Sequence, residues 1–520
     1  MRLVDYLDKG FSIAPDAPCL TTDGETLTYG DVRALAGRIA NALSACGVRP
    51  GDKVAIISGN DPVAFTCVFG ISRAGAVWCP INPRNEAGEN RELLDLFDCS
   101  VVVYAPDYGS LVSAIKPELP HVHTWVRLGQ PGGTETAGSL SWHEFLDAAT
   151  SSTDIDEPAV DDLAMIVGTG GTSGRPKGVM LQGSNLEAMT AITLMSYPFA
   201  GRPVYLALAP LTHAAGVLCF PIMAYGGEIV IMRAPDVGRF LKLIEQHRVT
   251  HTFLPPTVIY MVLAHDALET TDLSSLQCFW YGAAPMSVAR LTEAIQRIGP
   301  VMAQLFGQTE APMMISTMAP ADHFNPDGSP AVDRLSSAGR PSPLTTVAIM
   351  GADGALLAPG EHGEIVVRGS LVMPGYYKND EENATASRFG WHHTGDIGYL
   401  DDDNFLYVVD RAKDMIITGG FNVYSTEVEQ AALSHPDVQD CAVIGLPDDK
   451  WGERVVAVVQ SRPGRHPDPE QVVAHVKSRI GSVKAPKEVL VWADLPRSRV
   501  GKVLKTEIKA TLLGGGEQPG

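Results

Sequence analysis

Apolar runs of strand length alternate with helical patterns through the first half of the chain, and this alternation constrains the fold most. The run 54–57 precedes a predicted helix over 62–73, and the apolar runs 101–104 and 229–232 are typical of buried strands. Strands that alternate with helices in this way build parallel sheets covered by helices. The sequence therefore predicts an α/β fold with layered, largely parallel sheets.

The pattern changes later in the chain. Short strands separated by glycine turns, such as 345–350 and 363–368, predict a small β-rich subdomain over 341–410. A separate compact α+β unit is predicted after Asp410. Its predicted elements are a helix near 426–433, strands at 441–445 and 454–460, a helix near 471–480 and a strand at 488–492. The glycine-rich end over 514–520 is predicted to be disordered.

The composition argues against nucleic acid as a partner. The chain has 60 Asp plus Glu against 40 Lys plus Arg, a formal charge of −20, which disfavours contact with a polyanion. Its eight cysteines are scattered without a C-x-x-C pair, so we expect reduced thiols in a cytoplasmic protein. No apolar run reaches the ~20 residues that span a bilayer. Peripheral membrane contact and a homodimer are left open.

A glycine-rich run after the apolar residues 163–167 has the composition of a phosphate-binding loop. It contains Thr169, Gly170, Gly171, Thr172, Ser173, Gly174 and Lys177. Glycines let backbone amides approach an anion closely, hydroxyls add donors, and the lysine adds a positive charge. The order of residues differs from that of a Walker loop. An ordinary flexible surface loop is the alternative interpretation.

Two later segments combine small residues with a carboxylate. The first contains Gly282, Ala283, Ala284 and Pro285, and the second contains Phe306, Gly307, Gln308, Thr309 and Glu310. Small residues leave room for a flat ring against the backbone. A turn at Gly307 would present Thr309 and Glu310 to a phosphate and its metal, and Mg²⁺ needs few protein carboxylates beside phosphate oxygens. A carboxylate at a helix N-terminus is the alternative for Glu310.

Charged and glycine-flanked residues recur toward the end of the chain. Asp396 directly follows a glycine, and an aspartate at such a turn can accept both hydroxyl protons of a ribose. Arg411 comes later as a second candidate contact, and Gly419 and Gly420 permit close approach of a ligand to the backbone. Lys502 follows Gly501, and a lysine in a mobile loop can reach a distant site. Each residue alone is typical of a surface turn or a surface cation, but their order and spacing favour a shared site.

In order and spacing, these segments resemble those of the adenylate-forming superfamily: acyl- and aryl-CoA synthetases, peptide-synthetase adenylation domains and beetle luciferases. The resemblance runs from Leu27 to Lys502. It implies a large N-terminal adenylation domain over 1–410, a hinge over 411–413 with Lys413 as its pivot, and a small mobile lid domain over 414–520. Gly170 stands where serine is usual, which removes one phosphate donor. Ser425 stands where proline is common, and we expect no chemistry from it.

The resemblance implies ATP, Mg²⁺ and CoA as ligands of this chain. The implied nucleotide contacts are 169–174 with Lys177 at the phosphates, 282–285 with 306–308 around adenine, and Asp396 with Arg411 at the ribose. Thr309 and Glu310 would act at the phosphates, with Glu310 holding Mg²⁺. Lys502 would contact the substrate carboxylate and the α-phosphate during adenylation. Gly419, Gly420 and Phe421 would line the tunnel for the pantetheine arm of CoA.

The acid substrate is predicted from the segment 210–217. His213 is the candidate gate and pocket residue, with a structural histidine as an equal alternative. Amino-acid-activating relatives carry an aspartate at the next position, where this chain has Ala214, so an amino acid is disfavoured. Gly216 and the small residues 282–284 suggest a roomy apolar pocket. The candidates are therefore fatty, aryl and bulky alicyclic acids.

The predicted activity is ATP-dependent carboxylate–CoA ligation. ATP and the acid first give an acyl-adenylate and pyrophosphate, and the CoA thiolate then gives acyl-CoA and AMP. Lys177, Lys502 and Mg²⁺ would neutralise charge at the α-phosphate, and no protein nucleophile is required. The alternatives are a stand-alone adenylase that loads a carrier protein and a catalytically inactive nucleotide-binding regulatory protein.

Overall fold

The computed structural model describes residues 1–129, 136–148, 163–169, 176–211, 214–411, 414–448, 450–497 and 503–513. Its α-helices are α1 (Leu3–Ile13), α2 (Tyr29–Ala45), α3 (Pro62–Arg73), α4 (Ala87–Leu96), α5 (Gly109–Ile115), α6 (Trp142–Asp147), α7 (Gly183–Ser196), α8 (Ala214–Ala224), α9 (Val237–His247), α10 (Pro256–Leu263), α11 (Val288–Ile298), α12 (Asp380–Ala386), α13 (Ser425–Leu433), α14 (Pro469–Lys484) and α15 (Lys505–Leu513).

Strands make up most of the remaining regular structure. They are β1 (Pro18–Thr22), β2 (Glu25–Thr28), β3 (Lys53–Ile57), β4 (Val77–Ile81), β5 (Cys99–Tyr104), β6 (Thr124–Arg127), β7 (Leu140–Ser141), β8 (Leu163–Thr169), β9 (Lys177–Gln182), β10 (Val204–Ala207), β11 (Glu228–Ile231), β12 (His251–Leu254), β13 (Cys278–Tyr281), β14 (Met302–Gln308), β15 (Ala311–Met318), β16 (Arg340–Pro341), β17 (Thr346–Met350), β18 (Gly363–Arg368), β19 (Gly375–Tyr376), β20 (His392–Leu400), β21 (Leu406–Arg411), β22 (Ile416–Thr418), β23 (Phe421–Val423), β24 (Val438–Asp448), β25 (Gly452–Ser461) and β26 (Glu488–Trp492).

Two large sheets confirm the predicted α/β layering. The nine-stranded sheet has the order β16-β15-β14-β13-β12-β10-β11-β1-β2, and the eight-stranded sheet has the order β19-β9-β8-β4-β3-β5-β6-β7. Their central strands are parallel. At the hairpins β14–β15 and β8–β9, the strand pairing switches from parallel to antiparallel. The sites predicted near residues 169–177 and 306–310 therefore lie at these two hairpins.

Helices separate the two sheets and cover their outer faces. Buried residues of α1, α2, α3, α7 and α8 pack with strand residues of both sheets in one core. The outer face of the nine-stranded sheet is covered by α9, α10 and α11, and that of the eight-stranded sheet by α4 and α5. This order of helix and sheet layers is what runs of buried parallel strands require, because both faces of such strands must be covered.

Side-chain caps set where several helices begin. Asp61 accepts hydrogen bonds from the backbone N–H groups of Val63 and Ala64, and Pro62 occupies the first helical position. A cap of this kind typically stabilises a helix by about 1 kcal/mol, and proline fits the first position because no backbone donor is lost there. The helix predicted over 62–73 is accordingly present with those bounds.

Two smaller sheets follow along the chain. The antiparallel sheet β17-β18-β20-β21 spans residues 346–411, and β23-β22-β25-β24 with β26 spans 416–492. Strand β24 extends beyond the predicted 441–445 because it pairs with β25 over nearly its whole length. Helices α13 and α14 pack on one face of this last sheet and α15 on the other. The predicted hinge 411–413 begins at Arg411, the last residue of β21, and its residues 412–413 lie outside the described residues.

The cysteines and the helices bear on the predicted thiol state and on membrane contact. All eight cysteines lie within the described ranges, where none forms a disulfide, and seven of them are buried. None of the helices in the described ranges combines the length and apolar character that crossing a bilayer requires.

Candidate active site

The predicted phosphate loop connects two paired strands of the eight-stranded sheet. Thr169 ends β8, Lys177 begins β9, and the two residues are register partners across the hairpin. The strand pairing therefore holds both ends of the loop at one edge of the sheet. Gly170, Gly171, Thr172, Ser173 and Gly174 lie outside the described residues.

Lys177 is largely buried and has two partners that are distant in sequence. Its Nζ atom lies 2.7 Å from Oε2 of Glu382 on α12 and 5.1 Å from the ring centre of Tyr376. The Lys177 side chain is only 12% exposed. An ammonium group in this position is held by an anion and by the negative face of an aromatic ring, so it is fixed at the mouth of the loop.

Tyr376 joins the phosphate-loop lysine to the predicted metal ligand. Its hydroxyl donates to Oε1 of Glu310 at 2.9 Å, while its ring lies against Lys177. Burial, reinforced by the Glu310 carboxylate, raises the pKa of Tyr376, so this hydroxyl remains a donor. Glu310 sits in the turn between β14 and β15, and its carbonyl oxygen accepts from the N–H of Met373 at 2.8 Å. The structure thus brings Lys177 and Glu310 together.

Sequence reasoning missed Tyr376, Glu382 and Asn383. Tyr376 lies in the two-residue strand β19, which pairs antiparallel with β9, and a strand this short shows no alternation. Asn383 accepts from the Tyr376 N–H at 2.6 Å and donates to the Tyr376 carbonyl at 3.1 Å, so α12 fixes the backbone of β19. The aromatic pair that follows Gly375 was the available sequence signal.

The predicted adenine segments lie at neighbouring strand ends. Gly282 to Pro285 directly follow β13, and Phe306 to Gln308 end β14, its parallel neighbour. Ligands of open α/β sheets bind outside the carboxyl ends of strands. Ala283 has a φ of +66°, a left-handed conformation that is uncommon for a residue other than glycine. The backbone there is therefore held in an unusual conformation beside the predicted adenine position.

Two of the predicted site glycines, Gly216 and Gly282, lie against neighbouring main chain. A Cβ atom at Gly216 would collide with the carbonyl oxygen of Leu211, and one at Gly282 with that of Leu305. Backbone therefore occupies the space that the missing side chains leave. These two glycines allow close packing of main chains and are no evidence for a roomy acyl pocket.

The hairpin turn also differs slightly from expectation. Gly307 lies within β14, and the turn comprises Thr309 and Glu310. A Cβ atom at Gly307 would come within 2.6 Å of the backbone of Met313, whose φ is +63°. Gly307 is thus required by the close approach of the two hairpin strands, and it still leads to the half-buried turn that contains Glu310.

A histidine connects the adenine segment to the strand of the predicted ribose ligand. The side-chain amide of Gln308 donates to Nε2 of His392 at 3.3 Å. Burial lowers the pKa of His392 to about 4, so its imidazole is neutral near pH 7 and can accept this bond. His392 begins β20, which also carries Asp396.

Asp396 and Arg411 face each other on β20 and β21. They are register partners, and Nε of Arg411 lies 2.6 Å from Oδ1 of Asp396. The prediction that Asp396 sits at a turn is wrong, because it lies inside β20. The local irregularity comes from Gly395, with a φ of +71°, and from a register shift after Ile397. The sequence had placed the two residues in one site, and the structure makes them direct partners.

The paired glycines lie on a different sheet from Lys177. Gly419 and Gly420 join β22 to β23, with φ values of +57° and +81°. Apart from its chain neighbours, no described residue has an atom within 4 Å of a Cβ atom built at Gly420, whereas one at Gly419 would press on Trp451. Phe421 is 59% exposed. Ala214 begins α8, and Lys413, Lys502 and His213 lie outside the described residues.

Comparison with known proteins identifies the family of this chain. The model for the AMP-binding enzyme family matches residues 8–377, and that for the AMP-binding enzyme C-terminal domain matches residues 427–502. The chain belongs to the AMP-binding enzyme family. Lys177, Glu310 and the Asp396–Arg411 pair are thus residues of an AMP-binding enzyme.

Relatives and solved structures agree with this assignment. Feruloyl-CoA synthase of an Amycolatopsis species is 36% identical over 96% of both chains, and a medium/long-chain-fatty-acid–CoA ligase of Mycobacterium tuberculosis is 34% identical over 94% of this chain and 87% of its own. The o-succinylbenzoate CoA synthetase of Bacillus subtilis, solved with its acyl-adenylate, is 27% identical over 97% of both chains with a TM-score of 0.84. The predicted enzyme class, an AMP-forming acyl-CoA synthetase, is confirmed.

Proposed function

We propose that this AMP-binding enzyme activates an apolar aryl or fatty acid as its adenylate and transfers the acyl group to CoA. The relatives compared above act on an aryl acid and on fatty acids. Ala214 stands where amino-acid-activating members of the superfamily carry an aspartate. An unpaired carboxylate or amine in an apolar pocket is costly, so an acid without an amino group suits this position.

One observation carries the assignment of the first half-reaction. The Tyr376 hydroxyl, donating to Glu310 while its ring lies on Lys177, gathers a cation and a carboxylate at the mouth of the phosphate loop. In the proposed reaction, an oxygen of the substrate carboxylate attacks the α-phosphorus of ATP and pyrophosphate leaves. Lys177 and Lys502 stabilise the charge on the phosphate oxygens. The CoA sulfur then attacks the acyl carbon, and AMP leaves.

Mg²⁺ is part of the proposal. Glu310 supplies one carboxylate, which Tyr376 links to the Lys177–Glu382 ion pair. Thr309 supplies a hydroxyl in the same turn. Within the described ranges no group of three or more His, Cys, Asp or Glu residues is arranged around a metal position. Mg²⁺ is commonly held by one or two carboxylates together with substrate phosphates, so this donor set fits an ion that arrives with ATP.

A panel of acids tests the proposal. The purified enzyme is given ATP, Mg²⁺, CoA and one acid at a time, spanning hydroxycinnamic, indole-acetic, medium-chain, long-chain and amino acids, and AMP and thioester are measured together. We expect thioester with an aryl or fatty acid and none with amino acids. Adenylate without thioester, even at high CoA, would favour a carrier protein as acceptor. Absence of acid-dependent ATP–pyrophosphate exchange across the panel would contradict adenylation altogether.

A further inference from the structure

Ser425 lies at the centre of a buried polar contact between two sheets. It is the first residue of α13 and is fully buried. Its backbone N–H and its hydroxyl donate to the two carboxylate oxygens of Asp410, with a hydroxyl distance of 2.9 Å. Asp410 belongs to β21 of the four-stranded sheet and is only 4% exposed. The serine thus fixes a buried carboxylate that belongs to the preceding unit of the chain.

A lysine is the third member of this buried polar contact. Nζ of Lys505, the first residue of α15, donates to the Ser425 hydroxyl at 2.6 Å and pairs with Glu429 at 2.7 Å. Burial lowers the pKa of Lys505, but the Glu429 and Asp410 carboxylates outweigh this effect and the net shift is upward. The ammonium therefore stays charged. It compensates two carboxylates that would be costly to bury alone.

The contact continues into the candidate ribose site. Asp410 also accepts from the backbone N–H of Arg411 at 2.8 Å, and Arg411 pairs with Asp396. Adjacent residues of a strand point to opposite faces, so Asp410 faces α13 while Arg411 faces Asp396. An unbroken series of polar contacts therefore runs from Lys505 through Ser425 and Asp410 to the Arg411–Asp396 pair.

The helix itself does not require serine at this position. Proline is well suited to the first position of a helix, but it has neither the N–H nor the hydroxyl that Asp410 accepts. The common proline at this position would start α13 equally well and would leave the Asp410 carboxylate without both donors. The expectation that Ser425 has no chemical role is therefore not supported by its contacts.

We propose that Ser425 and Lys505 are positioning residues for nucleotide binding, because through Asp410 they hold the Arg411–Asp396 pair in the geometry that grips the ribose. Packing of α13 and Lys505 against β21 then raises the affinity for ATP. This inference rests on the proposed function, in which Asp396 and Arg411 contact the ribose. It adds buried residues of the second unit, in addition to the predicted phosphate contact Lys502, to the determinants of ATP affinity.

Direct ATP binding to the full-length enzyme tests the inference. Calorimetric titration with ATP and Mg²⁺ in the absence of acid and CoA is compared for wild type, Ser425→Pro and Lys505→Met. Both substitutions remove hydrogen bonds to charged groups, and they act on the ribose contacts indirectly, through Asp410. We therefore expect ATP binding to weaken by about five- to tenfold. Ser434→Ala is the matched control, since its hydroxyl bonds Ala431 and His475 at the far end of α13. It should leave the affinity unchanged.

A double-mutant cycle separates positioning from general destabilisation. If Ser425 acts through Arg411, Ser425→Pro should have no further effect on ATP affinity in an Arg411→Ala background. An equal loss of affinity in both backgrounds, or unchanged affinity in the single variant, would overturn the inference. Melting temperatures identify a variant that fails to fold. If Ser425→Pro fails to fold, Ser425→Ala is used in its place. Because Ser425→Ala keeps the backbone N–H that donates to Asp410, it should lose less ATP affinity. Missing adenylation by wild type would count against the proposed function, whereas these binding titrations would still report on Ser425.

Discussion

Tyr376 joins two residues that are far apart in sequence and belong to different sheets. Its hydroxyl holds Glu310 and its ring supports Lys177, so one side chain sets the distance between a cation and a carboxylate. Such positioning matters because groups that stabilise developing charge act only when their geometry is fixed in advance.

Replacing Tyr376 with phenylalanine should slow adenylation while leaving the fold intact. The ring under Lys177 remains, but Glu310 loses its donor, and a hydrogen bond to a charged group is worth about 1.5–3 kcal/mol. We expect roughly a tenfold lower rate of ATP–pyrophosphate exchange. Tyr377→Phe is the control, because that hydroxyl bonds Asp98 at 2.7 Å on an exposed surface. Equal effects of the two variants would argue against a role for the Tyr376 hydroxyl.

Replacing Lys502 with alanine should impair the first half-reaction selectively. Loss of one well-placed donor to a developing charge typically costs about 10²–10³ in rate. The second half-reaction should survive, since the resemblance places this lysine at the α-phosphate only during adenylation. Purified acyl-adenylate plus CoA measures that step alone. A fall in thioester formation as large as the fall in adenylation would contradict the assignment.

At the scale of elements, the β22–β23 hairpin is positioned to meet a ligand from solvent. Its tip combines two left-handed glycines with the exposed side chain of Phe421. The exposed Trp451, which directly precedes β25, lies beside Gly419. Space is open around Gly420, so a side chain there would obstruct an incoming molecule and not the protein itself. This arrangement suits the predicted passage of the pantetheine arm, which stays a prediction.

Replacing Gly420 with leucine should block CoA transfer and spare adenylation. The left-handed backbone adds a stability cost of about 1–2 kcal/mol. Gly464→Leu is a matched control, with a φ of +72° and equally open surroundings. We expect ATP–pyrophosphate exchange to persist in both variants and acyl-CoA production to fall only in Gly420→Leu. Loss of both activities in Gly420→Leu alone would mean that this glycine is structural.

At the scale of the whole molecule, the segment between β21 and β22 connects two units with separate cores. The sheet of β17, β18, β20 and β21 has two buried clusters of its own, and the sheet around β25 has two others. The chain passes between them at residues 412–413, where the sequence places a pivot. A pivot is a short segment that absorbs a large change in φ and ψ.

Replacing Lys413 with proline should trap the adenylating arrangement. Proline fixes φ near about −65° and also restricts Ala412 before it. We expect substantial ATP–pyrophosphate exchange and almost no CoA-dependent AMP release. Lys413→Ala, which removes the side chain and keeps the backbone free, should retain both half-reactions. Normal turnover by a folded proline variant, judged by its melting temperature, would place the pivot elsewhere.

Local signals determined much of this protein from the sequence. The capped helix Pro62–Arg73, the strand Glu488–Trp492 and the α/β layering follow from periodicity, caps and turn residues, which act between near neighbours. The order of the glycine-rich loop, Glu310, Asp396 and Arg411 indicated an adenylate-forming enzyme. Those residues are chemically distinctive, so the family could be predicted from the sequence without knowledge of tertiary contacts.

Only the tertiary structure decided which of these residues touch. Tyr376 reaches Glu310 because the short strand β19 pairs with β9, and Ser425 reaches Asp410 because α13 packs against β21. The sequence predicted that Gly216 and Gly282 leave room for a substrate, but neighbouring main chain occupies the space where their side chains would lie. Contacts of this kind join residues far apart in the chain, and their energies depend on distance and burial. Sequence spacing carries neither quantity.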